Sequence, residues 1–227
     1  MLKFYYNTGP NPMKVALFLE ETGLEYEPVP VDSRKGDQHK PEYKALNPNA
    51  KAPTLVDGET VVFDSNAILL YLGRKTGQFM PPANEQAEGE MLSWLMFVAT
   101  GIGPYSGQSV HFRHHAPEEL SYPIKRYVYE ARRHYKILDD RLANQPYMLG
   151  SGYSIVDMAV WGWARLIPFV LGPEVPEQMP NLKRLVDEIS ARPAGQRAEA
   201  IKERFGFKTE MDEEARRNMF PSAFAGQ

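Results

Sequence analysis

The sequence contains no cysteine among its 227 residues. This absence excludes disulfide staples, cysteine-based zinc sites and a cysteine nucleophile. Any thiol chemistry that the chain performs must therefore use a thiol that arrives with a ligand.

Long apolar runs are also missing: none reaches the roughly 18 residues that a membrane-spanning helix needs. The first residues lack the apolar stretch and the cleavage site of a signal peptide. We therefore expect a soluble, cytoplasmic protein with no membrane partner.

Neither sign of charge dominates. The 26 basic and 29 acidic residues are interspersed and leave a net charge of −3. This balance gives no electrostatic reason to expect a nucleic acid or an anionic membrane as a partner. Hydrophobic residues make up 43% of the chain, which is enough for a packed core. The length fits one large domain or two small ones.

The first part of the chain, residues 1–77, alternates between strand and helix patterns. An aromatic strand at 2–6 is followed by a helix that Pro12 can begin and Gly23 can close. A second strand at 26–31 contains two prolines, which restrict it to the edge of a sheet.

The rest of this part completes the sheet. Residues 33–49 are polar and irregular, with about one helical turn. Strands at 53–56 and 60–63 are then joined by a tight Asp-Gly turn, and a helix opens at Ser65. The order of these elements predicts a mixed four-stranded sheet with helices on its faces.

A proline-containing linker at 78–86 separates this α/β part from an all-α bundle at 87–204. Apolar residues recur at helical spacing in the second part. The predicted helices lie at 85–100, 121–142, 154–169, 181–191 and 194–204. The remaining tail, 205–227, contains several phenylalanines, so we expect it to pack on the body of the protein and to cover the active site or the dimer seam.

A glycine-rich stretch at 101–107 is superficially similar to a dinucleotide-binding motif. No strand precedes it and Pro104 lies inside it, so we predict a break between helices instead. His111, His114 and His115 do not have the spacing of a metal site with its carboxylates. We expect a solvated cluster at a helix end or in a loop, and no metal.

Two local motifs have both a structural and a functional interpretation. Pro53 is ordinary at the start of a strand, but a cis bond after Ala52 would expose the backbone of Ala52 to a peptide ligand. Asp64 or Ser65 can cap the following helix. The same pair can hold an amino acid, with Ser65 and the helix start binding its carboxylate and Asp64 its ammonium group.

A third motif, Ser154-Ile-Val-Asp157, has the spacing of a capping box. It precedes a strongly apolar helix, so we assign it to folding and expect no ligand contact.

Together these motifs resemble the cytosolic glutathione transferase superfamily. The resemblance is carried by the β-α-β start, by Ala-Pro-Thr-Leu-Val-Asp, by Asp-Ser-Asn-Ala-Ile-Leu-Leu-Tyr-Leu and by Tyr-Ser-Ile-Val-Asp-Met-Ala. It implies a thioredoxin-like domain followed by an all-helical domain over residues 1 to about 204.

A narrower resemblance is to the bacterial nu-class enzymes, which are glutathione-dependent disulfide-bond oxidoreductases related to a yeast prion-forming regulator. It is carried by Pro10-Asn-Pro-Met-Lys14, Lys35-Gly-Asp-Gln38, Asn47-Pro-Asn-Ala-Lys-Ala-Pro53, Gly107-Gln108 with His111-Phe112, and Lys125-Arg126-Tyr127. The resemblance implies a homodimer, a site completed by the partner subunit, and room for two glutathiones or for glutathione disulfide.

The family's site residues map onto this chain one by one. Asn11 matches the asparagine whose amide approaches the glutathione sulfur. The remaining implied contacts are Gln38 and Lys51 near the glycine end, Ala52 and Pro53 for the backbone, Asp64 and Ser65 for the γ-glutamyl group, and Arg126 across the dimer.

The sequence departs from the family pattern beside Asn11. The family often has a threonine two residues before this asparagine, whereas here Gly9 occupies that position and the threonine is Thr8. Thr8 is therefore the second candidate for contact with the sulfur. Tyr5 and Tyr6 follow, because other classes use a tyrosine at the end of the first strand, and alternation allows only one to face a ligand.

The resemblance implies a glutathione transferase with disulfide reductase activity, in which Asn11 stabilises a glutathione thiolate. The other partner would be a small electrophile or disulfide. The alternative function is a regulator or carrier that binds glutathione without catalysis, and Gly9 and Asp64 keep this alternative open.

Overall fold

The computed structural model describes residues 1–224. Four strands form one mixed sheet: β1 (Leu2–Tyr6), β2 (Tyr26–Pro30), β3 (Thr54–Asp57) and β4 (Thr60–Phe63). Their order is β2-β1-β3-β4, with β1 and β2 parallel and the other pairs antiparallel. The predicted mixed sheet and the edge position of the proline-containing strand are both confirmed. The Ala52-Pro53 peptide bond is cis.

Three helices accompany the sheet: α1 (Pro10–Thr22), α2 (Pro41–Leu46) and α3 (Ser65–Thr76). Helix α1 begins at Pro10, two residues earlier than predicted, and ends at Gly23 in the left-handed conformation that glycine favours. The region from 33 to 49 is more helical than predicted. It holds a 3-10 turn at Asp37–His39 as well as α2, because a proline at the first helical position favours helix formation.

The second part of the chain is helical, as predicted. Its helices are α4 (Glu85–Phe97), α5 (Gly103–Val110), α6 (Ser121–Leu142), α7 (Ile155–Ala164), α8 (Ile167–Val170), α9 (Pro180–Ala191), α10 (Pro193–Ala200) and α11 (Glu213–Met219). Every residue of α7 is buried, so this helix forms the centre of the bundle.

The predicted break at 101–107 is wrong. The backbone stays helical, with a π-helical segment at Val98–Ile102 leading directly into α5. The π turn shifts the hydrogen-bond register and leaves Pro104 in the first turn of α5, where its missing N–H is not needed.

The predicted helix at 154–169 is too long. Helix α7 ends at Ala164, and a turn precedes the short α8. Pro168 explains the interruption, because in a continuous helix its ring could not donate to the Ala164 carbonyl and would clash with it.

Helix α1 lies between the sheet and the bundle. All residues from Pro12 to Leu19 are buried, and α1 packs on α3, α7 and α10. A helix of a small α/β domain would normally leave one face to solvent. Here both faces are covered, so the two parts of the chain share one continuous hydrophobic core.

The start of α7 is fixed by the predicted capping box. The Asp157 carboxylate accepts from the backbone N–H and the hydroxyl of Ser154 at 2.9 and 2.8 Å. Its other oxygen accepts from the Met148 N–H at 2.8 Å, which connects the preceding loop to the helix. Since Asp157 is fully buried, water cannot replace its carboxylate as the acceptor for these donors.

We predict that Asp157→Ala lowers the free energy of unfolding by about 2–4 kcal/mol, because it leaves buried donors unpaired and removes the cap. Urea denaturation followed by circular dichroism measures this change. Asp187→Ala, at an exposed ion pair on α9, should change stability by less than about 0.5 kcal/mol. Equal effects of the two substitutions would contradict a structural role for the capping box.

Candidate active site

A cleft of about 740 Å³ opens where the sheet domain meets the bundle. Three parts of the chain line it. They are the α/β part with Asn11, Lys14, Asn49, Lys51, Asp64, Ser65 and Asn66; the bundle with Val98, Ala99, Gly103, Pro104, Gly107, Gln108, His111 and Trp163; and the tail with Met219, Phe220, Pro221 and Ser222. The cleft thus brings together polar groups that are far apart in sequence.

The side-chain amide of Asn11 has a fixed orientation. Its oxygen accepts from the indole N–H of Trp163 at 3.0 Å and from the Ser65 hydroxyl at 3.5 Å. An indole nitrogen can only donate, so the oxygen of Asn11 must face Trp163. The amide NH₂ has no hydrogen-bond partner within residues 1–224, and it is the group of Asn11 that remains able to donate to a ligand.

The loop before Asn11 explains the glycine at position 9. The Asn7 side chain accepts from the Gly9 N–H at 2.9 Å and donates to the Ser33 hydroxyl at 3.0 Å. A Cβ atom on Gly9 would lie only 2.9 Å from Oδ1 of Asn7. Position 9 therefore favours glycine because the Asn7 amide closes the loop from within.

The start of α3 combines a helix cap with backbone strain. Asp64 has a φ of 72°, which is unusual for a residue other than glycine, and its Oδ1 accepts from the N–H groups of Asn66 and Ala67. Strain of this kind persists where the surrounding structure enforces it, often at functional sites. Asp64 is exposed and Ser65 is buried, so a carboxylate and a hydroxyl face the cleft together at a helix N-terminus.

Lys14 is buried in the floor of the cleft. Only 1% of the residue is exposed, and its ammonium group donates to the Ser65 hydroxyl at 3.3 Å and to the Asn66 side-chain oxygen at 3.4 Å. Burial lowers the pKa of Lys14 to about 7, and the nearby Asp64 opposes this change. With Lys51 at the edge, the cleft offers two cationic side chains and one carboxylate to a zwitterionic ligand.

Several sequence-predicted residues lie at or beside the cleft. Asn11, Lys51, Asp64 and Ser65 line it, and the cis bond from Ala52 to Pro53 follows Lys51 directly.

Other predicted residues lie elsewhere. Thr8 is exposed and does not line the cleft. Tyr5 packs on Tyr43, and Tyr6 is buried against Phe4, so neither tyrosine lines the cleft either.

Gln38 and Arg126 have partners outside the cleft. The Gln38 amide donates to the Asn218 carbonyl at 3.0 Å and to the Ser33 carbonyl at 3.1 Å. Arg126, on α6, pairs with Glu130 at 2.6 Å. A ligand contact by either residue stays a prediction.

The tail forms one wall of the cleft. Its Asn218 carbonyl accepts from Gln38 and from His39, and its Asn218 side chain donates to the Arg34 carbonyl at 2.9 Å. Earlier in the tail, the Lys208 N–H donates to the carboxylate of Asp32 at 2.8 Å. These contacts hold residues 219–222 over the opening.

The histidine cluster is at a helix end, as expected, but it is not simply solvated. It forms a π-helical segment, His111–His115, that continues α5. The rings of His111 and His115 pack on Phe220 of the tail, and burial lowers the pKa of both imidazoles. Within residues 1–224 no group of three or more potential ligand side chains is arranged to hold a metal ion.

Sequence reasoning missed two features of the cleft, Lys14 and Trp163. For Trp163 there was a signal, since two tryptophans stand among small residues in the predicted helix and each indole N–H needs a partner. The tail lines the cleft through residues 219–222, in agreement with the expectation drawn from its phenylalanines. In the described part of the chain, no helix has both the length and the apolarity to cross a bilayer.

Two family models match the chain. Residues 1–74 match the glutathione S-transferase N-terminal domain, and residues 111–193 match the glutathione S-transferase C-terminal domain. The disulfide-bond oxidoreductase YfcG of Escherichia coli is 42% identical over 170 residues, which are 72% of this chain and 79% of the relative.

Solved structures agree with these matches. A glutathione transferase from Burkholderia graminis, with two glutathione molecules bound per subunit, superposes with a TM-score of 0.83 at 36% identity, covering 90% of this chain and 89% of the other. A glutathione transferase from Pseudomonas putida, with one glutathione disulfide bound per subunit, gives 0.82 at 34% identity, covering 88% and 91%. The chain therefore belongs to the glutathione S-transferase family and is an enzyme of that type.

Proposed function

We propose that this enzyme binds glutathione in the cleft and uses its thiolate to reduce disulfides, and also to attack electrophilic carbon. The observation that supports this best is the fixed amide of Asn11, whose NH₂ group is left to donate to a sulfur atom. The absence of cysteine adds a chemical reason, because the reacting thiol must come with the ligand.

The γ-glutamyl end of glutathione fits the start of α3. Its α-carboxylate would accept from the hydroxyl and the backbone N–H of Ser65, because the Asn66 and Ala67 N–H groups are already capped by Asp64. The helix dipole favours an anion at this position. Its ammonium group would pair with the exposed carboxylate of Asp64. The strained backbone of Asp64 supports a functional use of this position.

The remainder of glutathione would extend along the loop before β3. The backbone of Ala52, next to Pro53, would pair with the cysteinyl residue as a short added strand. Lys51 would bind the glycine carboxylate, with Gln38 as a further candidate near that end. This arrangement directs the sulfur toward Asn11.

The proposed chemistry is stabilisation of a thiolate. A free thiol has a pKa of about 8.5, and each unit by which the site lowers it corresponds to about 1.4 kcal/mol in favour of the thiolate. The Asn11 amide can donate a hydrogen bond to the sulfur but cannot remove its proton, so the site acts through charge stabilisation. Thr8 is exposed and does not line the cleft, so it would have to move to contact the sulfur.

Disulfide reduction would proceed by two exchanges. The glutathione thiolate attacks one sulfur of the substrate, forming a mixed disulfide and releasing a thiolate that takes a proton from water. A second glutathione thiolate then attacks the glutathione sulfur, which gives glutathione disulfide and releases the other half of the substrate. The two glutathiones per subunit in the Burkholderia graminis structure support this proposal.

We further propose a nu-class homodimer that acts in the cytoplasm, where glutathione is kept reduced. Arg126 is half-exposed on α6, and it would reach the partner subunit's cleft rather than its own. The relationship to YfcG supports the reductase assignment.

We predict that Asn11→Ala raises the pKa of the bound glutathione thiol by one to two units. Catalytic efficiency near neutral pH should then fall about tenfold to hundredfold, and the deficit should shrink as pH rises because the thiolate then forms without help. Thiolate absorbance and initial rates across a pH series measure both effects. Asn144→Ala, at an exposed site, is the control. An unchanged pH profile in Asn11→Ala would remove Asn11 from the mechanism.

We predict that Phe220→Ala changes the KM for the disulfide or electrophile at least severalfold, because Phe220 is a large apolar side chain in the lining of the cleft. The dissociation constant for glutathione should change less than about twofold. Phe169→Ala, which removes a half-exposed aromatic outside the cleft, serves as the control. If both substrates bind Phe220→Ala as they bind the wild type, the tail has no part in substrate selection.

A further inference from the structure

A buried lysine lies beneath the proposed glutathione site. The Lys14 ammonium is within hydrogen-bond distance of Ser65 and Asn66, at the start of α3. Packing alone would explain an apolar side chain at this depth. Burying an ammonium group away from water, in contrast, costs free energy. A buried lysine that lines a cleft, beside the start of a helix, is a candidate for a functional role.

Helix α7 packs closely on this lysine. Gly162 of α7 lies against its aliphatic stem, and a Cβ at that position would fall 2.3 Å from Cγ of Lys14 and 2.6 Å from the Pro10 carbonyl oxygen. Glycine in a helix interior costs about 1 kcal/mol relative to alanine. Helix α7 therefore contains a locally unfavourable residue at the point where it approaches both the Lys14 side chain and the backbone of α1.

The hydrogen bonds of Lys14 determine how Ser65 is used. An ammonium group only donates, so it occupies a lone pair of the Ser65 oxygen and leaves the hydroxyl hydrogen to point elsewhere. That hydrogen is directed to the Asn11 oxygen at 3.5 Å, a long contact that a bound carboxylate could replace as acceptor. Lys14, Ser65 and Asn11 thus form one connected network under the cleft.

We propose that Lys14 is a positioning residue of the glutathione site: its ammonium orients the Ser65 hydroxyl and supplies the positive charge that the γ-glutamyl carboxylate meets at the start of α3. This inference rests on the proposed function. The ligand carboxylate would add a second negative charge near this ammonium group, beside that of Asp64.

Lys14→Met tests this role, because methionine has similar length and fills the space without a charge. Two probe ligands are compared by calorimetry: glutathione, and 4-aminobutyryl-cysteinylglycine, which is glutathione without the γ-glutamyl α-carboxylate. We expect Lys14→Met to weaken glutathione binding about tenfold or more, as for a lost charge-assisted hydrogen bond. Binding of the analogue should change less than about twofold.

Two further variants complete the experiment. Lys14→Gln keeps a donor but no charge, and it should show the same selective loss even if the methionine variant folds poorly. Lys44→Met, on the exposed face of α2, should leave both ligands unaffected.

An equal loss for both ligands would mean that Lys14 acts only in folding, and no loss for either would mean that it has no role in binding. Both outcomes overturn the inference while leaving the proposed function intact. A wild-type protein that does not bind glutathione overturns the proposed function as well.

Discussion

The burial of α1 on both faces is the constraint on which the rest of the structure depends. Helix α3 packs on α1 from the α/β part, and α7 and α10 pack on it from the bundle, so α1 cannot shift without opening the shared core. Asn11 and Lys14 lie on the first turns of this helix, and their depth in the cleft follows from its packing. The polar groups of the site are therefore positioned by apolar contacts made several residues further along α1.

Three residues whose conformation or burial is locally unfavourable lie at the cleft. Asp64 has positive φ, Gly162 lies inside a buried helix, and Lys14 is a cation without solvent. Each choice is unfavourable for folding alone, and all three meet around the start of α3. Proteins generally tolerate such conflicts at functional sites and compensate for them elsewhere. The fully satisfied capping box of α7 is one compensating element close by.

The success of sequence reasoning depended on the range of the interactions. Elements set by neighbouring residues were predicted: the Gly23 terminus, the Ser154 capping box and the alternating strands of the sheet. The π-helical path before Pro104 was missed, because a shift in hydrogen-bond register leaves no pattern in residue types. The bond from Trp163 to Asn11 joins residues 152 positions apart, and only tertiary packing brings them together.

The tail restrains the motion of the α/β part relative to the bundle. It is hydrogen-bonded to the α/β part through Asp32 and Gln38, while Phe220 packs on His111 and His115 of the bundle. It therefore braces the two parts across the mouth of the cleft. A hinge motion about the linker would have to break these contacts, so the width of the opening is coupled to whether the brace is in place.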